Sequence, residues 1–135
     1  MFKIIESISP DPIRFPAKPE IKLTPGHIIK IIDYQGNLVV DLCDGSYAFG
    51  VVGNVVYGGS KLDFSKGSIA HVYPQRMVAN IEKFDRKSDP VVGCSLYCNT
   101  KGMLSAKKPF ENAIVLAKVI YLPSAEKKHM QILWL

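Results

Sequence analysis

Short apolar runs separated by turn residues form the dominant pattern of this chain from residue 20 onward. Turn residues recur roughly every ten positions, as at Gln35–Asn37 and Asp44–Ser46, which is the spacing typical of sandwiches and barrels. Glycine supplies the positive φ that tight hairpin turns need, and the Val, Ile, Tyr and Phe between the turns suit a pleated sheet. The pattern therefore predicts an all-β fold, a small antiparallel β-barrel or sandwich.

The clearest predicted hairpin joins His27–Tyr34 to Leu38–Leu42. The strongest single strand is Ile114–Leu122, because β-branching and the stop at Pro123 favour a strand over a short helix. Lys108–Ala113 is a helical candidate of one turn at most, so we expect less than about a tenth of the residues to be helical. No repeat of roughly 20 to 50 residues is visible. The other predicted strands are Phe2–Ile8, Tyr47–Val52, Asn54–Tyr57, Ser68–Tyr73, Val78–Glu82, Ser95–Cys98, Met103–Ser105 and Met130–Leu135.

The N-terminal part of the chain is rich in proline. Five of the nine prolines lie between residues 10 and 25, and proline fixes φ and removes a hydrogen-bond donor. We therefore divide the single domain into an N-terminal strand with an extended arm, residues 1–25, and a β-domain, residues 26–135. Ile13 and Phe15 would anchor the arm on a neighbouring subunit, so that it contributes more to assembly than to the core. The alternative is a lead-in that lies on the domain's own surface.

The C-terminus ends in four large apolar side chains, Ile132, Leu133, Trp134 and Leu135. Each is worth roughly 1.5 to 3 kcal/mol when buried, and in water they would form an adhesive patch. We expect them to pair into the sheet or to pack on another subunit, with Trp134 largely buried. Together with Ile13 and Phe15 they are the candidate interface residues.

Composition and charge place the chain among ordinary globular proteins. Of its 135 residues, 47% are hydrophobic and 21% charged, with a net charge of +5, which permits an acidic partner without requiring nucleic acid. The lysines are dispersed, the arginines are only Arg14, Arg76 and Arg86, and the aromatics lie mostly in apolar runs, so nucleic-acid binding is disfavoured. No run reaches the roughly 18 apolar residues of a membrane span. Charged residues interrupt the N-terminal run, so we expect no signal peptide.

No catalytic or cofactor motif is present. His27, His71 and His129 lack a carboxylate at catalytic or ligand spacing, which favours structural roles. The three cysteines indicate a reducing compartment rather than a disulfide framework. Zinc would need a second ligand pair beside Cys94 and Cys98, so we predict that Cys43, Cys94 and Cys98 are buried and inert, without a metal or a bridge. An enzyme whose site is assembled between subunits is the remaining catalytic alternative.

Five sequence motifs follow one another in residues 24–122. They are the Pro-Gly entry strand Thr24–Lys30, the hairpin Asp33–Val40, the turn and strand Asp44–Val52, the hairpin Val92–Leu104 and the closing strand Ala117–Ile120. In this order they resemble the small virion proteins of tailed bacteriophages, notably capsid decoration (cement) proteins.

This resemblance implies a non-catalytic β-domain that binds and stabilises a capsid lattice. The expected partners are the major capsid protein or another virion protein and further copies of the chain. The expected location is the virion, assembled in the host cytoplasm. A tail or baseplate component, or a small nucleic-acid-binding β-barrel, is the alternative.

Overall fold

The computed structural model of the protein describes residues 2–7, 12–56, 69–73 and 77–135. In this part of the chain the fold is all-β, as predicted, and helix is limited to the 3-10 turn Arg86–Ser88. The strands are β1 (Phe2–Ser7), β2 (Ile13–Pro16), β3 (Ile28–Tyr34), β4 (Asn37–Leu42), β5 (Gly50–Val56), β6 (Ile69–Tyr73), β7 (Met77–Ile81), β8 (Ser95–Cys98), β9 (Leu104–Ser105), β10 (Ala117–Tyr121) and β11 (Met130–Trp134).

The strands form two curled antiparallel sheets. One has five strands in the order β2-β6-β5-β3-β4, and the other has six in the order β1-β7-β11-β10-β8-β9. Ala17, just after β2, makes a parallel bridge to Val40 in β4, and Phe84, after β7, makes the same bridge to Leu104 in β9. These bridges draw opposite sides of each sheet together. We call β2–β6 the first half-barrel and β7–β11 the second half-barrel.

The two half-barrels share one topology. Replacing β2, β3, β4, β5 and β6 by β7, β8, β9, β10 and β11 turns the first strand order into the second, with β1 as an additional edge strand. The register repeats as well: Ile28 pairs with Val51, and Ser95 pairs with Lys118. Adding 67 to each number of the first pair gives the second pair. The chain therefore contains a tandem structural repeat.

The hydrogen bonds around the two entry strands repeat with the same offset. The Gly26 N–H donates to the Val52 carbonyl at 2.7 Å, and the Gly93 N–H donates to the Val119 carbonyl at 2.8 Å. A register irregularity follows each acceptor, between Val52 and Asn54 in β5 and between Val119 and Tyr121 in β10. Few of the residues at equivalent positions of the two half-barrels are identical, which explains why the repeat is not visible in the sequence.

Alternation along the strands of the first half-barrel produces two cores. Ile28 and Val51 face the second half-barrel and join the larger cluster, which includes Ile81 and Trp134. The neighbouring Ile29 and Val52 point to the opposite face and form the smaller cluster inside the first half-barrel. Successive side chains of a strand point to opposite faces, so β3 and β5 serve both cores at once.

The proline-rich segment is part of the smaller core over the range that the structure describes, residues 12–25. β2 pairs with β6, the Lys18 N–H donates to the Val40 carbonyl at 2.9 Å, and Ala17 and Leu23 are buried. Over this range the segment therefore makes hydrogen bonds and apolar contacts with its own domain. Residues 8–11 lie outside the described residues.

Three local predictions also need correction. Gly53 does not separate two strands, because β5 continues through it with an irregular register. The Tyr73 ring packs where a Gly53 side chain would lie, which explains the glycine. Lys108–Ala113 is not helical but contains a turn closed by a bond from the Ala113 N–H to the Phe110 carbonyl at 3.1 Å. The strand predicted from Ile114 begins only at Ala117, in β10.

Candidate functional site: a groove between two loops

The predicted interface residues at the C-terminus separate into core and surface. Ile132 and Trp134 are buried in the larger core of the chain itself, so the expected burial of Trp134 is confirmed without a second subunit. Leu133 is half-buried, and Leu135 is exposed. Ile132 and Trp134 are therefore covered by the chain's own core, whereas Leu135 is on the surface.

The predicted anchors of the N-terminal arm also differ from each other. Ile13 is exposed on β2. Phe15 is half-buried and packs edge-on against Phe49, with ring centroids 5.6 Å apart. Phe15 thus contributes to the smaller core of its own chain, while Ile13 lies on the surface.

A groove forms where one loop of the first half-barrel meets one loop of the second half-barrel. The first loop follows β4 and contributes Asp44, Gly45, Ser46 and Tyr47, and the second precedes β10 and contributes Phe110, Asn112 and Ile114. We call these seven residues the loop groove, which encloses about 530 Å³. Ile114 occupies the repeat position of Tyr47, 67 residues further along the chain. The tandem fold thus brings two equivalent loops to one surface.

Three large apolar side chains of the loop groove are exposed. The exposed fraction is 84% for Tyr47, 64% for Ile114 and 49% for Phe110. Scattered apolar residues on a surface are ordinary, whereas a contiguous group with polar residues at its rim marks an interaction site. The loop groove has this composition, with Asp44, Ser46 and Asn112 in its lining.

The first loop is held by the side chain of Asp44. One carboxylate oxygen accepts from the Ser46 N–H at 3.2 Å and from the Ser46 hydroxyl at 2.6 Å. The other oxygen accepts from the Lys30 ammonium at 3.1 Å. These bonds, led by the Ser46 hydroxyl, hold the pKa of Asp44 well below its usual range. Asp44 therefore remains charged at neutral pH and fixes the turn that carries Tyr47.

Gly45 completes the junction of the two loops. Its φ of +97° is in the left-handed region that favours glycine. A Cβ at this position would touch the Cys98 carbonyl and the Pro109 ring, each at 3.6 Å. The turn thus packs directly on the end of β8 and on the start of the second loop, which makes the groove part of the rigid fold.

The histidines and cysteines show no arrangement for catalysis, as far as the structure describes them. His27 is half-buried and accepts a bond from the Thr24 N–H at 3.0 Å on Nδ1. No cluster of three or more His, Cys, Asp or Glu side chains that could hold a metal is found among the described residues. The three cysteines are free thiols. Cys43 and Cys98 are buried, and Cys94 is half-buried. The Cys98 thiol donates to the Asn99 carbonyl at 3.2 Å, and the Cys43 sulfur lies 3.7 Å from the Ser46 carbonyl oxygen.

Sequence reasoning did not identify Tyr47, Phe110 and Ile114 as surface residues. Tyr47 and Ile114 were assigned to strands, whereas both lie in loops before β5 and β10. The usable signals were the Asp-Gly-Ser turn directly before Tyr47 and the position of Phe110 between Pro109 and Glu111.

No protein-family model matches the chain, and no curated protein matches it significantly. None of the described residues forms a helix with the length and hydrophobicity needed to cross a membrane.

Proposed function

We propose that this chain is a non-catalytic structural virion protein that binds and stabilises a bacteriophage capsid lattice, as a decoration (cement) protein does. The observation that carries the proposal is the loop groove: three exposed apolar side chains on a rigid all-β fold. The resemblance of residues 24–122 to phage decoration proteins supports the choice of partner. The partner would be the major capsid protein or another virion protein, and the chain would act as a homo-oligomer.

The groove has the features of a protein-docking surface. Aromatic side chains are enriched in the buried centres of interfaces, and polar residues surround them. Tyr47 and Phe110 supply the aromatic centre, and Asp44 and Asn112 supply hydrogen-bonding groups beside it. Because Asp44 is already fixed by Ser46 and Lys30, the first loop loses little freedom when a partner binds.

The test first looks for a major capsid gene beside the gene of this chain, and then measures co-sedimentation of the chain with expanded capsids assembled from that gene's product. We expect the wild type to sediment with the capsids and Tyr47→Ser combined with Phe110→Ser to lose at least about tenfold in affinity, as for hot-spot aromatics. Leu38→Ser is the matched control, because Leu38 is 63% exposed at the β3–β4 hairpin and outside the groove. This control should bind like the wild type.

Two other outcomes would contradict the proposal. If the wild type does not bind capsids but binds purified tail or baseplate assemblies, the tail alternative replaces capsid decoration. If it instead shifts single-stranded DNA with a strong salt dependence, the nucleic-acid alternative applies. Equal capsid binding by the groove variant and the wild type would retain the capsid partner and exclude the loop groove as the docking surface.

A further inference from the structure

A second groove with an apolar lining follows β10, whereas the loop groove precedes this strand. It encloses about 360 Å³, and Val91 and Leu122 contribute to its lining. Their chain neighbours Val92 and Tyr121 are also on the surface, and the exposed fractions of these four side chains range from 39% to 66%. We call the groove together with these four residues the end patch. It places large apolar side chains in water where the turn before β8 meets the end of β10.

The end patch contains a cation whose position is fixed. The Arg86 guanidinium lies over the Phe84 ring, 4.5 Å from the ring centroid, and one of its nitrogens donates to the Lys128 carbonyl at 3.0 Å. Phe84 is itself buried, and both Phe84 and Arg86 line the groove. The remaining N–H groups of the planar guanidinium are available to an acceptor. Because Arg86 is already held in place, it loses little freedom when a partner binds.

The same groove contains an anion that its own chain does not neutralise. Asp89 lines the groove directly after the 3-10 turn, and its N–H donates to the Arg86 carbonyl at 3.3 Å. Over the part of the chain that the structure describes, no cation or hydrogen-bond donor pairs with the Asp89 carboxylate. Arg86 and Asp89 therefore present opposite charges beside one apolar surface, and neither charge neutralises the other.

We propose that the end patch is the interface of a two-fold symmetric dimer of this chain. Every contact between two different residues occurs twice in such an interface. Arg86 of one copy pairs with the partner's Asp89, and the second ion pair follows by symmetry. Val91 and Leu122 are covered by the apolar side chains of the other copy.

The two charges identify a second copy as the occupant of the end patch. A uniformly acidic surface would pair with Arg86 but repel Asp89, and a uniformly basic surface would do the reverse. Covering a charge without a partner is costly. A second copy presents both charges in the reverse order by symmetry, so it satisfies each of them. The end patch and the loop groove lie at opposite ends of β10, so the dimer leaves both loop grooves open.

The test measures the mass of the full chain by sedimentation equilibrium at increasing protein concentration. We expect the wild type to reach twice the mass of one chain. Arg86→Glu opposes two carboxylates and Asp89→Arg opposes two guanidinium groups, so each variant alone should bind itself at least about tenfold more weakly. Lys87→Glu is the matched control, because it makes the same charge change on the same 3-10 turn but outside the groove lining. It should dimerise like the wild type.

An equimolar mixture of the two variants tests the two-fold pairing directly. In a mixed dimer the new carboxylate of Arg86→Glu faces the new guanidinium of Asp89→Arg, and the two unchanged residues face each other. Both pairs are attractive again, so the mixture should dimerise although neither variant does so alone.

Three results would overturn the proposal. The first is a wild type that stays monomeric at every concentration, and the second is a dimer that neither variant weakens. The third is a monomeric mixture of variants that each retain the wild-type circular dichroism spectrum. The wild type and Asp89→Arg decide the question even if Arg86→Glu does not fold. This dimer gives a surface to the homo-oligomer of the proposed function, but it is measured without capsids, so either proposal can fail while the other stands.

Discussion

His27 is held in its neutral form by its position at the entry of β3. Burial, together with a smaller contribution from the nearby Lys83 ammonium, lowers its pKa from 6.5 to about 4. The neutral ring accepts the Thr24 N–H bond on Nδ1, which a doubly protonated ring cannot do. The side chain thus fastens the turn that begins the first half-barrel, a structural role in agreement with the sequence interpretation.

This burial predicts a loss of stability between pH 6.5 and pH 4. In that range the unfolded chain binds a proton at His27 that the folded chain does not bind, so the free energy of unfolding decreases as the pH decreases. Because the side chain is only half-buried, we expect a loss of about 1 kcal/mol. Urea unfolding at pH 7 and pH 4.5 measures it, with His27→Asn as the comparison.

His27→Asn keeps an acceptor for the Thr24 N–H but does not titrate, so its stability should decrease less over the same range. Protonation of Asp44 also lowers the free energy of unfolding, but at lower pH than His27. The pKa of this carboxyl is depressed in the folded protein, so its contribution is lost only below the ordinary carboxyl pKa near 4. Equal pH dependence in the wild type and His27→Asn would show that His27 does not control this window.

At the scale of the elements, the two hairpin turns use glycine for different reasons. Gly36 in the β3–β4 turn and Gly102 in the β8–β9 turn both have positive φ, +84° and +72°. Nothing lies within 4 Å of a Cβ added at Gly36, whereas a Cβ at Gly102 would collide with the Leu42 side chain. The Gly102 carbonyl also accepts from the Ile28 N–H at 2.8 Å, which joins the two half-barrels.

We therefore expect Gly102→Ala to destabilise the fold more than Gly36→Ala. The strained φ alone should cost about 1 kcal/mol at Gly36. Steric conflict with Leu42 should raise the cost at Gly102 to about 3 kcal/mol. Chemical denaturation of the two variants at one pH gives both values, and Gly36→Ala is the control for backbone strain. Similar losses would show that Leu42 moves aside and that the contact is soft.

Elements that depend on local sequence signals could be predicted from the sequence, whereas elements that depend on tertiary contacts could not. The hairpin of β3 and β4 and the Asp44–Ser46 turn follow from turn chemistry, because their glycine and aspartate positions act within a few residues. β2 was missed because Pro12 and Pro16 indicate an arm, and its pairing with β6 depends on residues far along the chain. Gly53 was misread because a glycine under a distant ring resembles a turn glycine.

The loop groove was also beyond sequence reasoning, for a related reason. Tyr47 and Ile114 are in sequence runs typical of strands, but β5 and β10 begin three residues after each of them. Only the packing of one half-barrel on the other brings these equivalent loops together.

At the scale of the whole molecule, equivalent sheet faces of the two half-barrels differ, because one is buried and apolar and the other is exposed and polar. In the first half-barrel, Ile28 and Val51 are fully buried against the second half-barrel. Their equivalents in the second half-barrel are Ser95 and Lys118, which pair in the same register. The Lys118 ammonium donates to the Ser95 hydroxyl at 2.7 Å on the surface. A polar surface on an exposed face of a stacked repeat disfavours the addition of a further copy.

This asymmetry predicts that a polar pair limits stacking on the outer face of β8 and β10. Replacing the pair with its equivalents, Ser95→Ile combined with Lys118→Val, recreates the apolar face of Ile28 and Val51 on the surface. We expect two such faces to bury each other, because exposed β-branched pairs on a sheet are adhesive and a matching patch on a second copy is self-complementary. Sedimentation velocity should show a concentration-dependent increase in mass above that of the wild type. Lys118→Gln, which removes the charge but keeps a polar side chain, should match the wild type. If the double variant and the wild type have the same mass at every concentration, Ser95 and Lys118 do not limit association at this face.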